Sequence, residues 1–211
     1  MSERVLGAII GIHGDEKGVV IPSSIAPIKV VIIPIIFKGH EEEVMQECKK
    51  VEKELNAMGI NSMVDERDKT PGNKFYDWEL KGIPLRIEIG PRDIQKNVVT
   101  MVARDGVRKE IEREELKKIE EELKEFDVRL YKKAEEFLMK NMHRTEKLER
   151  KEGVIELPWC GKEECGNEME ERLDMKSLGI PLEKEEVNAT CPISVSYTHL
   201  RAHETSLHLV C

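Results

Sequence analysis

The stretch IKVVIIPIIF, from Ile28 to Phe37, limits this chain more than any other. It is a run of β-branched and aromatic residues broken only by Lys29 and Pro34. Such a run has no polar face, so it predicts a strand buried on both sides, inside a sheet that carries a layer on each face. It is too short to cross a bilayer, which takes about 20 apolar residues. The segments C-terminal to it supply the layers. HEEEVMQECKKVEKELNAMG places Val44, Cys48, Val51 and Leu55 on one helical face, with Gly59 as a stop. INSMVDE predicts a second strand, and Thr70-Pro71-Gly72 a loop. NKFYDWELKG predicts a short helix with Asn73 as N-cap and Gly82 as stop. PLRIEIG and NVVTMVAR predict two more strands, the last ending at an Asp105-Gly106 turn. Alternation of this kind implies an α/β fold, a mixed sheet flanked by helices.

The flanking segments are less regular. Residues 1–27 hold two apolar runs around His-Gly-Asp-Glu-Lys-Gly, which reads as two strands joined by a glycine-bounded turn. Residues 110–150 read as helical. Leu116, Ile119, Leu123 and Phe126 form a stripe that Leu130, Ala134, Phe137 and Leu138 continue, and the alternating charges suit a solvated face. From Gly153 the pattern is short strands and loops. The final stretch, SVSYTHLRAHETSLHLVC, continues no helix or strand period of the preceding domain.

Charge bounds the partners. The net charge is −8, which weighs against general nucleic-acid affinity. The excess acid is concentrated late, however: residues 151–211 hold 6 Lys and Arg against 12 Asp and Glu. A local basic surface elsewhere is compatible with this. The N-terminus lacks a basic-then-apolar signal pattern, so the cytoplasm is the expected compartment and disulfides are not expected.

Two constellations carry chemistry. On the strand PLRIEIG, Leu85, Ile87 and Ile89 face one way, and Arg86 and Glu88 the other. Glu79 precedes the strand, and Arg92 and Asp93 lie just beyond it. This mixture of charges suits guanine, since arginine donates to O6 and N7 and a carboxylate accepts from N1–H and N2–H₂ of an unpaired base. The same pattern also suits a solvated strand face laced with salt bridges. Phe75 and Trp78 suit either base stacking or packing of helix on sheet. The second constellation is Cys160, Cys165 and Cys191, three potential thiolate ligands for zinc or three ordinary thiols.

PGNKFYDWELKGIPLRIEIGPRD, from Pro71 to Asp93, resembles the anticodon-binding domain of the archaeal and eukaryotic type of the prolyl-tRNA synthetase family. RVLGAIIGIHGDEKGVVIPSSIAPIKVVIIPI resembles the end of that family's class II catalytic domain running into the anticodon domain, and VIELPWCGKEECGNEMEE resembles its C-terminal metal-binding module. The resemblance is collinear over residues 2–193. It implies a catalytic-domain remnant at 1–27, an anticodon-binding α/β domain at 28–107 and a charged helical linker at 108–150. A small α+β zinc-binding-like module comes next, at 151–193. Residues 194–211 fit no part of the family and read as a non-native tail.

The resemblance also implies roles. Arg4 matches an arginine that contacts the ATP phosphates. Glu79, Arg86, Arg92 and Asp93 match positions that read the two guanines shared by proline anticodons, with Glu88 orienting a partner and Lys81 touching phosphate. Cys160, Cys165 and Cys191 match three of four zinc-binding cysteines, and Ser194 stands where the fourth belongs. Tail residues His199, His203, His208 and Cys211 are conceivable substitutes. The implied cofactors are structural zinc, held weakly or incompletely here, with ATP and magnesium in the full-length parent. The implied partner is tRNA with a proline anticodon, and the parent is expected to be a homodimer. On this reading the chain is a fragment of a proline-tRNA ligase that recognises the anticodon and does not aminoacylate alone. The alternative is a stand-alone tRNA-binding or regulatory module derived from the synthetase, and a metal scaffold without RNA affinity is the third.

Overall fold

The computed structural model describes residues 3–180 and 189–196, together with the backbone of 206–210. The chain divides into two compact units, Met1–Ala134 and Glu135–Cys211. In the first unit the elements run α1 (Glu3–His13), β1 (Val30–Pro34), α2 (Glu41–Ala57), β2 (Ser62–Val64), α3 (Pro71–Leu80), β3 (Leu85–Ile89), α4 (Pro91–Lys96), β4 (Val98–Ala103) and β5 (Arg108–Glu112). The helix α5 (Lys118–Lys140) comes after them.

The sheet order is β2-β1-β3-β4-β5. β1 runs parallel to both β2 and β3, and β4 is antiparallel to β3 and β5. All five residues of β1 are buried, as its composition requires. Its alternate residues serve different layers. Val30 and Ile32 join a core with Val44, Cys48, Val51 and Leu55 of α2 and with Ile119, Leu123 and Phe126 of α5. Val31 and Ile33 pack with Trp78 of α3 on the opposite side. Each large side chain buried this way contributes about 1.5–3 kcal/mol. Pairing of Val31 with Arg86 and Ile33 with Glu88 puts the charged residues of β3 on the α3 side of the sheet.

Several segments depart from expectation, among them α3, which begins at Pro71 with Thr70 rather than Asn73 as its N-cap. Residues 3–13 form helix α1, with no buried residue, rather than a strand. A strand satisfies its backbone only through a neighbour, and a helix satisfies it internally. Of the expected hairpin, the described residues keep a single bridge, Asp15 to Gly18. The segment expected as a linker from 108 instead supplies β5 and α5. Ile111 and the α5 residues Ile119, Leu123, Phe126 and Leu130 complete the main core, while Phe137 and Leu138 further along the stripe are exposed. Nor does the unit begin at Ile28. Val20 belongs to the same core, and Asp127 accepts hydrogen bonds from the Ser23 N–H (2.6 Å) and hydroxyl (3.0 Å).

The second unit holds β6 (Met142–Arg144), β7 (Val154–Pro158), α6 (Glu163–Leu173), β8 (Lys176–Gly179) and β9 (Ser206–Val210), with sheet order β6-β7-β9-β8. Ile155 and Leu157 of β7 pack against Cys165, Met169 and Leu173 of α6. The tail therefore contributes structure: β9 pairs antiparallel with both β7 and β8. The ladder groups of β7 and β8 explain it, because unpaired strand edges recruit an extended segment. Two of the conceivable substitute ligands, His199 and His203, lie outside the described residues, as does Cys211.

Candidate nucleic-acid interface and metal centre

β3 and the end of α3 bring together three of the expected residues. Arg86 donates from Nε to Glu88 Oε1 at 2.9 Å and from Nη1 to Glu79 Oε1 at 2.9 Å. Its guanidinium lies 4.4 Å from the Phe75 ring centroid. The second oxygen of Glu88 pairs with Arg108 Nη2 at 3.0 Å, and the second oxygen of Glu79 faces Lys17 at 4.0 Å. Phe75, Trp78, Glu79, Arg86, Val102 and Arg104 line one small depression beside this cluster.

The geometry reassigns the work within the group. Bidentate donation to guanine takes two adjacent guanidinium N–H groups. Arg86 has committed Nε to one carboxylate and Nη1 to the other. The Nε–Nη2 edge of the fork therefore includes a bond that would first have to break. Glu88 is buried and accepts from two arginines. Among the described residues the ion-pair partner of the Glu79 Oε2 is the Lys17 ammonium at 4.0 Å. Arg108 was not legible from sequence. The antiparallel hairpin sets it opposite Val102, next to the Glu88 row of the sheet.

The remaining expected residues scatter in role. Asp93 Oδ2 accepts from the Gly90 N–H at 2.8 Å, and Thr100 Oγ1 donates to Asp93 Oδ1 at 3.5 Å, so this carboxylate caps α4. Arg92 is exposed and makes no ion pair among the described residues. Lys81 sets its ammonium 4.3 Å from the Trp78 ring centroid. Trp78 is buried and donates Nε1–H to Asp65 Oδ2 at 2.7 Å, which makes it a packing residue. Burial works against the Asp65 charge, but hydrogen bonds from Arg67 and Trp78 outweigh it and hold this carboxyl below the ordinary carboxylate range. Arg4 stands exposed on α1.

In the second unit the sulfurs of Cys160, Cys165 and Cys191 lie within 4.8 Å of one another. Cys160 lies just past β7, Cys165 opens α6, and Cys191 sits in the loop at 189–196. Ser194 Oγ lies 3.5 Å from Cys160 Sγ. Thiolates bound to zinc at about 2.3 Å stand somewhat under 4 Å apart, so three sulfurs this close form a possible metal-binding group, with the Ser194 hydroxyl beside one of them. Burial opposes the Cys160 thiolate, but hydrogen bonds from Ser194, the Lys162 N–H and the other two cysteines bring it down to about 7. Burial and the neighbouring Cys160 push Cys165 up.

Residues 29–126 match the family described as "Anticodon binding domain", and residues 143–202 match "Prolyl-tRNA synthetase, C-terminal". The chain carries the anticodon-binding and C-terminal domains of the prolyl-tRNA synthetase family. It is 47% identical over 209 residues to a proline–tRNA ligase of Pyrococcus horikoshii, covering 92% of this chain and 43% of that protein. The Thermococcus kodakarensis proline–tRNA ligase is 46% identical over 208 residues, with 92% and 43% covered. The Methanosarcina mazei enzyme is 43% identical over 211 residues, with 96% and 44% covered. The chain thus spans less than half the length of these relatives. Among the described residues no helix is long and apolar enough to cross a membrane.

Proposed function

We propose that the chain is the RNA-reading part of a proline–tRNA ligase, the cytoplasmic enzyme that uses ATP to attach proline to tRNA. Its task is to recognise the two guanines of proline anticodons through the α3–β3 face. The observation that carries this reading is the Arg86 guanidinium bonded to both Glu79 and Glu88 and set over Phe75. That arrangement ties two carboxylates to one guanidinium on the α3 side of the sheet. A guanine whose Watson–Crick edge is free offers N1–H and N2–H₂ as paired donors, and Glu79 is the natural acceptor. Arg92, exposed at the exit of β3, can donate to a base edge or a phosphate, and Lys81 adds positive charge nearby in sequence. Asp93 contributes by fixing the turn that carries Arg92.

Cys160, Cys165 and Cys191 are proposed to hold zinc in a structural role, joining the end of β7, the start of α6 and the loop at 189–196. Arg4 is the one residue proposed to meet ATP, with magnesium, and the parent enzyme is proposed to act as a homodimer. The test is binding of the whole chain to an anticodon stem-loop carrying the two guanines and to one in which both are replaced. A clear preference for the first, lost in Glu79→Gln, supports the reading; equal affinity for both RNAs in the wild type sinks it.

A further inference from the structure

The turn that precedes Val19 is fastened to the same helix end that carries Glu79. Arg104, just past the end of β4, has a side chain only 1% exposed. Its Nε donates to the Glu79 carbonyl at 2.9 Å, and Nη1 and Nη2 donate to the two oxygens of Asp15 at 2.9 and 2.6 Å. One buried guanidinium therefore ties the turn at Asp15, 89 residues before it, to the end of α3. The backbone reinforces it. Val19 N–H donates to Leu80 O at 3.2 Å and Ile21 N–H to Gly82 O at 3.3 Å. Two glycines permit the approach: a Cβ on Gly82 (φ 74°) would sit 2.5 Å from Val19 O, and one on Gly18 (φ 127°) would sit 2.7 Å from Leu80 O. The hydrogen bond from Arg104 also lowers the Asp15 carboxyl below its usual range, consistent with a persistent pair.

We propose that Arg104, anchored by Asp15, is a positioning residue that fixes the end of α3 and so aims the Glu79 carboxylate at the guanine edge. The inference rests on the anticodon reading above. Asp15 is remote in sequence from that face, and among the described residues its side chain bonds to Arg104 and the Lys17 N–H. Without its charge the buried guanidinium loses its bidentate acceptor, and the Glu79 carbonyl loses a fixed donor. Glu79 then samples more orientations, and discrimination falls before overall RNA affinity does.

The experiment measures binding of the full chain to two stem-loops, one with both guanines and one with inosine at both positions, which lacks the N2 amino group. The ratio of the two affinities is followed for wild type, Glu79→Gln, Asp15→Asn and Asp15→Glu, at a temperature well below each melting point. Asp15→Asn is expected to reduce the guanine preference by about three- to tenfold with an unchanged salt slope, and Asp15→Glu to retain most of it. Arg104→Lys, which cannot reach both Asp15 and the Glu79 carbonyl as a fork, should match Asp15→Asn. If Glu79→Gln leaves the preference intact, the anticodon reading itself is wrong. If Glu79→Gln abolishes it while Asp15→Asn and Arg104→Lys keep the wild-type ratio, the positioning role is overturned. It is equally overturned if those two variants weaken both RNAs alike.

Discussion

The guanidinium of Arg86 lies 4.4 Å from the ring centroid of Phe75. The contact places a flat cation on a flat apolar surface, leaving its edges to the two carboxylates. On the proposed reading this contact organises the face that meets guanine, and removing its parts tests that reading.

Replacing Arg86 with alanine releases Glu79 and leaves Glu88 to Arg108 alone. Affinity for the guanine-bearing stem-loop should fall by about 1–3 kcal/mol. Most of that loss should disappear when the guanines are replaced, since the contact is then already missing. Lysine at 86 should behave almost like alanine because it lacks the fork that holds two carboxylates. A uniform loss across all RNAs, with the salt slope reduced by about one, would instead mark a phosphate contact.

Phe75→Leu keeps the apolar packing but removes the ring. The expected cost is about 0.5–2 kcal/mol of guanine-specific binding, the range for a partly desolvated cation on an aromatic face. Binding isotherms for the two RNAs will show it, and an unchanged ratio would mean that the ring serves packing alone.

Asp65 ties β2 to α3 through Arg67 and Trp78. Its folded carboxyl titrates below the ordinary aspartate range, so its contribution is complete above about pH 4 and fades as acid protonates the folded group. Asp65→Asn should cost about 3 kcal/mol at neutral pH, as breaking a buried pair does. The gap from wild type should narrow as the pH drops below about 4. Denaturant midpoints at several pH values test this, and a gap that widens in acid would contradict it.

The metal centre offers a gain-of-function test. Ser194→Cys supplies a fourth thiolate in place of a hydroxyl, and zinc affinity measured by chelator competition should rise by tenfold or more, since even one outer-shell partner is worth about 10–100-fold. One tightly held zinc per unsubstituted chain, unmoved by the substitution, would show that Ser194 is not the weak corner.

Deleting residues 206–211 removes β9 from between β7 and β8. Amides of β7 should then exchange faster with solvent, and the second unit should melt several degrees lower, at about 2–8 °C per kcal/mol depending on the size of the melting unit. Unchanged exchange would mean that β9 adds nothing to the sheet.

Periodicity along the chain exposes elements whose burial is set locally. β1 was legible because no face of it can meet water, and α2 because its four buried residues repeat at helical spacing. Residues 3–13 were not, since a continuous apolar run fits helix and strand alike. β5, RKEIE, hides because only Ile111 is buried and its pairing is set by the edge of β4. Glu79, Arg86 and Glu88 were legible as a group because their spacing puts them on one side of one strand and at its entry. The capping role of Asp93 depends on the local turn, and Arg104 depends on an acid 89 residues away, which no local pattern encodes.

The seam between residues 15–21 and the end of α3 bears on how such proteins can be cut and recombined. Composition changes near Pro27, and that is where a splice would be drawn by eye. A graft beginning at Ile28 would leave the Arg104 guanidinium without its Asp15 anion and Gly82 shaped around a vacated segment. On the proposed reading, the smallest piece that keeps Glu79 positioned starts before Asp15, so exchange of specificity between relatives should succeed only when the turn travels with the sheet.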